Sequence, residues 1–412
     1  PRLYVLIPHQ GRDPDMARYD VAVVGGGIVG LAVAHEFLTR LPDRTVVVVE
    51  KEPAVAAHQT SHNSGVIHSG LYYTPGSLKA RTCVEGARLM VAFCRQHGIP
   101  HEICGKVVVA TQPRELPALE QLYQRGVANG VPGLTVIGPE RLRELEPHAQ
   151  GLRALHVPAA GMVDYAAVSK ILAGLIVQGG GVIRTATRVK QLQRWGRGWV
   201  LQTTSEEISA AYLVTCGGLQ EDRLVAMASH RRDLQILPFR GDYYTLAPER
   251  RGLVRTMIYP VPNPLFPFLG VHFTRAIDGT VHVGPNAVLA FKREGYRKLD
   301  VSLRDTLAML GYPGFWRMAW KYWPIGLEEL QRSWSRSAFA QTAQRLVPDL
   351  QPEDLVPTGS GVRAQAVNQW GALMNDFDFL QEPAALHVRH VPSPAATSSL
   401  RLAQLIADQV AG

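Results

Sequence analysis

The chain has 412 residues, 46% of them hydrophobic and 19% charged, a content that excludes intrinsic disorder. No apolar run approaches the roughly 18 residues of a membrane-spanning helix. A formal charge of +8 and a pI near 9.4 leave nucleic acid, a membrane surface or an anionic substrate open as partners.

Residues 1–15 (PRLYVLIPHQGRDPD) carry no helical or strand period. Met16 followed by ARYDVAVVGGG reads as a natural start, so the stretch before it is expected to be a non-native remnant or a disordered extension. Asp20–Val24 is a short β-branched run of the kind found in buried parallel strands. It leads directly into Gly25-Gly26-Gly27-Ile28-Val29-Gly30 and then a helical pattern, LAVAHEFLTRL. Gly25 allows the tight turn, Gly27 lets a pyrophosphate approach the backbone, and Gly30 lets the helix pack on the strand. The helix N-terminus offers N–H groups and partial positive charge to phosphates. A second apolar run, Val46–Val49, ends in Glu50, placed to take a ribose hydroxyl pair, with Lys51 beside it. Strand, glycines, helix, strand and terminal acid appear in order, which predicts a dinucleotide site. Glu50 argues against the 2′-phosphate of NADP.

An NAD domain would continue with strand–helix repeats. Here the next stretch is HQTSHNSGVIHSGLYYTPGSLKAR, polar, rich in Gly, Ser and His, and without a strand period. Its hydroxyls and amides suit a pyrophosphate and a ribityl chain. The four cysteines, Cys83, Cys94, Cys104 and Cys216, make no close pair and are expected to be free buried thiols in a reducing compartment. Further on, Gly161–Asp164 opens a helical segment, YAAVSKILAGLIVQ, followed by three glycines and a strand, VIRTATRVKQL. Tyr212–Gly218 (YLVTCGG) is a strand ending in glycines. This interrupted layout resembles the D-amino-acid-oxidase-like flavoprotein superfamily and favours FAD over NAD.

Several stretches narrow the resemblance. HNSGVIHSGLYYTPGSLKAR (62–81), PFRGDYY (238–244), FPFLGVHFTRAIDGTVHVGPNAVLAFKREGYR (266–297), GVRAQA (361–366) and PSPAATSSL (392–400) together resemble the L-2-hydroxyglutarate dehydrogenase (oxidase) family. The resemblance runs from about Tyr19 to the end of the sequence. It implies FAD and oxidation of L-2-hydroxyglutarate to 2-oxoglutarate, with hydride passing from C2 to flavin N5. Ser61 stands where relatives often have glycine. Arg389-His390-Val391 stands where Asn-Ala is more usual, leaving a side-chain amide contact to the flavin near position 390 unsupported. Asn368-Gln369-Trp370 replaces a more acidic turn after GVRAQA.

That reaction needs a base for the hydroxyl proton and a C2 hydrogen held close to the flavin. Histidine suits the base, and His68 in the Gly/Ser/His loop and His272 in LGVHF are the candidates, one as base and the other as substrate ligand. A hydrogen-bonded structural histidine is the competing reading for each. A dicarboxylate needs a cation at both ends, and arginine offers a bidentate fork. Arg240 and Arg363 sit in glycine-containing family motifs, with Tyr73 and Tyr243 as hydroxyl donors. Surface ion pairs and core packing are their ordinary alternatives. Lys106, in CGKVVVA, reads better as a solvated strand-end lysine. For FAD, the resemblance assigns Gly25, Gly27, Gly30, Glu50 and Lys51 to phosphate and adenosine, and Ser61, Asn63, Ser64 and Gly65 to pyrophosphate and flavin edge. It also places Val189 at the adenine, Gly217 beside the cofactor, and Gly361, Val362, Ala395, Ala396 and Thr397 along the isoalloxazine. PSPAATSS enters a helix whose N-terminal amides would stabilise negative charge on reduced flavin.

No metal, iron–sulfur or haem signature is present, so quinone is the expected electron acceptor, with oxygen and a soluble carrier as alternatives. Trp316, Trp320 and Trp323 recur at helical spacing beside Arg317 and Lys321, with Trp334 after them. Tryptophan with basic residues is the pattern of a helix lying in a membrane interface, whereas an amphipathic helix packed on its own domain explains the same spacing. The expected location is cytoplasmic, at the inner membrane face if that helix lies there. The expected fold is α/β (α+β overall), a Rossmann-like FAD-binding domain (16–92, 150–235 and 345–412) interleaved with a mixed-sheet substrate domain (93–149 and 236–344). The rivals are a flavoprotein oxidising another anionic 2-hydroxy or 2-amino acid, and a flavin-bearing RNA-binding or tRNA-modifying protein. The basic residues are dispersed, which makes nucleic acid the least expected partner.

Overall fold

A computed structural model of the chain describes residues 17–262 and 269–411. The expectation for residues 1–15 lies outside them, as does part of the FPFLGV motif. Two large sheets, of eight and nine strands, organise the molecule, and a three-stranded sheet lies with them.

The first sheet grows from the dinucleotide motif. Its path runs Val189–Trp195, Gly198–Thr203, Glu207–Thr215, Ala17–Val24, Val46–Val49 and Val182–Arg184. Ala17–Val24 is parallel to both neighbours, with Val21 opposite Tyr212 on one side and Val46 on the other. Ala385–His390 adds a further parallel pairing to Glu207–Thr215. The four valines of 46–49 are buried on both faces, as a parallel sheet covered by helices requires. Helix Ile28–Arg40 packs against both Tyr165–Gln178 and Ala395–Ala411, and the three share one apolar core. VIRTATRVKQL, expected as a single strand, is broken at Ala186 (φ 52°), and its halves pair with opposite ends of the sheet. The polar loop after Glu50 gives way at Leu78 to a helix, Leu78–Gln96, capped by the Ser77 hydroxyl and by Asp376 from far along the chain.

The second sheet is centred on a long antiparallel ladder between Leu234–Leu246 and Leu355–Asn368. Its path then takes in Val281–Gly284, His272–Arg275, Met257–Pro260, Lys106–Ala110, Arg153–Val157 and Thr135–Ile137. Arg153–Val157 and Leu355–Asn368, expected with the nucleotide unit, therefore pair into this second sheet, since their antiparallel partners all belong to it. Val66–Ile67, Gly161–Val163 and His101–Glu102 form the small sheet. The tryptophan segment is a helix, Pro313–Trp334, with Pro324 inside it. Phe315 and Met318 bury one face, whereas Trp316, Trp320 and Trp323 are 58%, 84% and 57% exposed. Among the described residues, no helix is long and apolar enough to cross a membrane.

Candidate active site

A cavity of about 1200 Å³ runs between the two sheets. Drug-sized ligands occupy pockets of roughly 300–1000 Å³, so this one has room for a dinucleotide and a small substrate together.

At one end the glycine turn forms the wall. Gly25 has φ +116°, and a Cβ there would stand 2.3 Å from the Cys216 carbonyl oxygen. A Cβ on Gly30 would stand 2.0 Å from the Gly25 carbonyl oxygen. Gly27, the residue before helix Ile28–Arg40, faces the cavity and carries no capping side chain. Thr60 supplies one partner instead, accepting from Ile28 N–H at 3.1 Å. Val29 and Gly30, in the uncapped first turn, also line the space, which makes this end attractive to anions. The Glu50 carboxylate accepts from Gly26 N–H (2.7 Å) and Glu52 N–H (2.8 Å), so it is held in place with lone pairs to spare. Val189 lines the same end. Lys51 also lines it, with its ammonium bonded by Glu52, Glu294 (2.9 Å) and His58 (2.8 Å).

Along the middle, Asn63 and Ser64 contribute from the polar loop and Gly217 from the strand end. Gly217 N–H donates to buried Glu221, whose carboxyl also receives the Thr215 hydroxyl. Burial pushes the Glu221 carboxyl up to about 8. Gly361 passes so close to the loop that a Cβ would lie 2.4 Å from the His62 carbonyl oxygen. Val362 follows it on the wall, facing Ala395, Ala396 and Thr397 at the start of the C-terminal helix. The Thr397 hydroxyl ties this helix start to the loop through His68 N–H (3.1 Å), Tyr165 Oη (2.8 Å) and the Val66 carbonyl (3.2 Å).

The far end is polar, aromatic and basic. His68, Tyr72, Tyr73, Tyr243, Tyr259, His272, Arg363 and Lys79 all line it. His272 Nδ1 lies 2.8 Å from the Gly270 carbonyl, which can only accept, so Nδ1 carries the proton and Nε2 keeps its lone pair. Burial holds the His272 imidazole down to about 4, with Arg363 and Lys106 acting in the same direction against the Gly270 bond. His68 is held down to about 3 by burial and by Lys106, His272 and Arg363. Its Nε2 lies 3.2 Å from the Ser393 hydroxyl, and its buried Nδ1 has no hydrogen-bond partner. Both rings are therefore neutral at neutral pH. Tyr243 and Tyr73 stay protonated because burial raises both phenols. Lys79, its ammonium 5.9 Å from the Tyr73 ring centre, is lowered to about 8 by burial.

Three expected site residues lie off the cavity wall. Arg240 is buried, but its Nε donates to Asp242 (2.8 Å) and its Nη1 to the Arg297 carbonyl (3.0 Å), so its fork holds the fold. Ser61 donates to the Ala56 carbonyl and stabilises the loop from behind. Gly65, with φ +66°, packs where a Cβ would meet the Val163 carbonyl oxygen at 2.8 Å. Lys106 is the opposite case: expected in solvent, it is 1% exposed, beneath the Tyr72 and Tyr259 rings. Thr60, Tyr72, Tyr259 and Lys79 escaped the sequence reading. YY at 72–73 and SLKAR at 77–81 lie inside the 62–81 family motif, but nothing in their spacing marks which way they face. His390, at the unusual RHV, is buried between strands, accepting from Ala366 N–H at Nδ1 (3.3 Å) and bonded to the Met374 carbonyl at Nε2 (3.0 Å).

The DAO family model, described as FAD dependent oxidoreductase, matches residues 20–409. An L-2-hydroxyglutarate dehydrogenase of Indibacter alkaliphilus is 45% identical over 95% of this chain and 98% of its own length. One of Escherichia coli K12 is 45% identical over 95% and 93%. Among solved structures, the L-alpha-glycerophosphate oxidase of Mycoplasma pneumoniae with FAD bound superposes with a TM-score of 0.77 at 22% identity. It covers 96% of this chain and 95% of that one, a likeness of fold.

Proposed function

Because the chain belongs to the DAO family of FAD-dependent oxidoreductases and, within it, to the L-2-hydroxyglutarate dehydrogenases, we propose that it oxidises L-2-hydroxyglutarate to 2-oxoglutarate using FAD. The residues present fit the cofactor. Gly25 and Gly30 leave no space for a side chain, the first turn of Ile28–Arg40 is uncapped on the wall, and Glu50 is fixed beside it. At the other end, backbone at Gly361–Val362 faces a second helix N-terminus at Ala395. Gly25, Gly27, Gly30, Glu50, Lys51 and Val189 would hold the adenosine and phosphates. Asn63, Ser64, Gly217, Gly361, Val362 and Ala395–Thr397 would hold the rest. Bound FAD supplies a two-electron acceptor for the hydrogen leaving C2.

The chain itself manages the anion and the proton. Arg363, one residue from the Val362 wall, takes the carboxylate next to C2. The Nε2 lone pair of His272 receives the hydroxyl proton, with the ring fixed by its Gly270 bond. His68 and the Tyr243 and Tyr73 hydroxyls are the remaining donors that orient the substrate. The observation that carries this reading is a cavity joining a dinucleotide cradle to two neutral histidines under the influence of Arg363. Anaerobic mixing of the holoenzyme with L-2-hydroxyglutarate should bleach the oxidised flavin band within the dead time of manual mixing. D-2-hydroxyglutarate and L-glutamate should leave it. Bleaching by L-glutamate alone would replace this reading with that of an amino-acid oxidase.

The electrons then pass to a quinone at the cytoplasmic face of a membrane, which the chain meets peripherally through Pro313–Trp334. Trp316, Trp320 and Trp323 are exposed there beside Lys321, and Leu303 and Leu307 extend the apolar face onto the preceding helix. Liposomes containing anionic lipid should co-sediment the protein at moderate salt, and a Trp320→Ser, Trp323→Ser variant should stay in the supernatant. Equal behaviour of the two proteins would remove the membrane contact.

A further inference from the structure

With Arg240 committed to Asp242, one end of a dicarboxylate has no arginine to receive it. Behind the far wall of the cavity lies a different group. Lys106 opens a strand whose five residues are all buried, between Arg153–Val157 and Met257–Pro260. Its ammonium lies 4.4 Å from the Tyr72 ring centre and 4.9 Å from that of Tyr259, and has no hydrogen-bond partner. Tyr72 lines the cavity, and its hydroxyl, itself closed off from solvent, is likewise without one. The Tyr72 and Tyr259 rings stack at 6.4 Å, and Tyr259 packs on His272 at 4.0 Å, so this group stands one ring away from the base.

A buried ammonium without an anion is costly, and cation–π contact recovers only part of that cost. Burial lowers Lys106 to about 7, and its charge is felt by both His68 and His272. An anion arriving in the cavity would supply what the fold withholds.

We propose that Tyr72, backed by Lys106, forms the subsite for the carboxylate remote from C2 and selects dicarboxylates. The Tyr72 hydroxyl donates to that carboxylate, and the ammonium behind the ring neutralises it across a short, dry gap. Arg363 and Lys106 then hold opposite ends of one substrate with the histidines between. This inference rests on the reading of the cavity as the site of an anionic 2-hydroxy acid.

Binding of glutarate and of pentanoate to the oxidised FAD holoenzyme, read from perturbation of flavin absorbance, tests it without turnover. The two acids share a five-carbon chain and differ in the second carboxylate. The wild-type protein should prefer glutarate. Lys106→Met should weaken glutarate about 30-fold or more, as loss of a buried charge partner does, and leave pentanoate within about threefold. Tyr72→Phe, which removes one oxygen and keeps the ring, should narrow the preference in the same direction. It also serves should the lysine variant fail to fold. A glutarate preference that survives Tyr72→Phe undiminished, or is absent from the wild type, overturns the subsite. A wild type that prefers glutarate yet is not bleached by L-2-hydroxyglutarate leaves the subsite standing and removes the proposed reaction.

Discussion

His272→Gln should retain its FAD and lose roughly 10²–10⁴-fold in the rate of flavin reduction, the usual worth of a positioned general base. The expectation follows from one hydrogen bond. The Gly270 carbonyl fixes the proton on Nδ1 at 2.8 Å, so Nε2 is the nitrogen able to accept. Glutamine keeps a polar group of similar reach but cannot take a proton near neutrality. The pH profile carries a second signature. The competent form is the neutral ring, and burial holds His272 down to about 4. In the free enzyme kcat/KM should therefore show no acid-side loss as pH falls from 7.5 to 5.5, and decline only as pH approaches 4. An unperturbed histidine would already have lost half its neutral form near 6.5. An acid limb centred near 6.5, or a glutamine variant that reduces its flavin at the normal rate, would assign the proton to another group.

Gly30→Ala should yield protein without flavin. A Cβ at Gly30 would sit 2.0 Å from the Gly25 carbonyl oxygen and 3.2 Å from its carbon. Those atoms are backbone, in a turn that is itself pinned because a Cβ at Gly25 would meet the Cys216 carbonyl at 2.3 Å. No side chain can swing aside, so either the helix moves off the strand or the turn opens. Each removes the uncapped N–H groups from the wall. Overpacking of this kind costs about 1–3 kcal/mol before any loss of bound cofactor. Gly174→Ala is the matched control. Gly174 sits within helix Tyr165–Gln178 with nothing inside 4 Å of its Cβ position, and alanine there should be neutral or stabilising by up to about 1 kcal/mol. The ratio of flavin absorbance to protein absorbance, with the melting temperature of each variant, checks both. A flavin-replete Gly30→Ala protein would show that the turn has slack.

The dinucleotide end was legible because its chemistry is local. Gly25, Gly27, Gly30 and Glu50 act through backbone geometry and short chain spacing, and the structure brings all four to the cavity. The substrate end was only half legible. Arg240 and Arg363 look alike in sequence, the first next to Gly241 and the second two residues after Gly361. Arg240 is two residues from Asp242 along a strand, so both side chains share a face and pair. Arg363 has no acid at that spacing and lines the cavity. Lys106 misled for a related reason. A lysine at a strand start is ordinarily solvated, but two strands and two tyrosines from remote parts of the chain close over this one. Burial of that kind is set by tertiary packing, which no local pattern reports. The split of VIRTATRVKQL at Ala186 belongs with it, since a positive φ at alanine leaves no mark in composition.

The first strand has a partner from the middle of the sequence, and the first helix one from near its end. Ala17–Val24 lies between Val46–Val49 and Glu207–Thr215, and Ile28–Arg40 packs on Ala395–Ala411. On the ribosome these neighbours appear in that order, so the cradle emerges well before the helix that helps to wall it in. Long-range pairings of this type are slow to form and leave apolar edges uncovered meanwhile. The cradle is therefore complete only once Ala395–Ala411 has been made and docked.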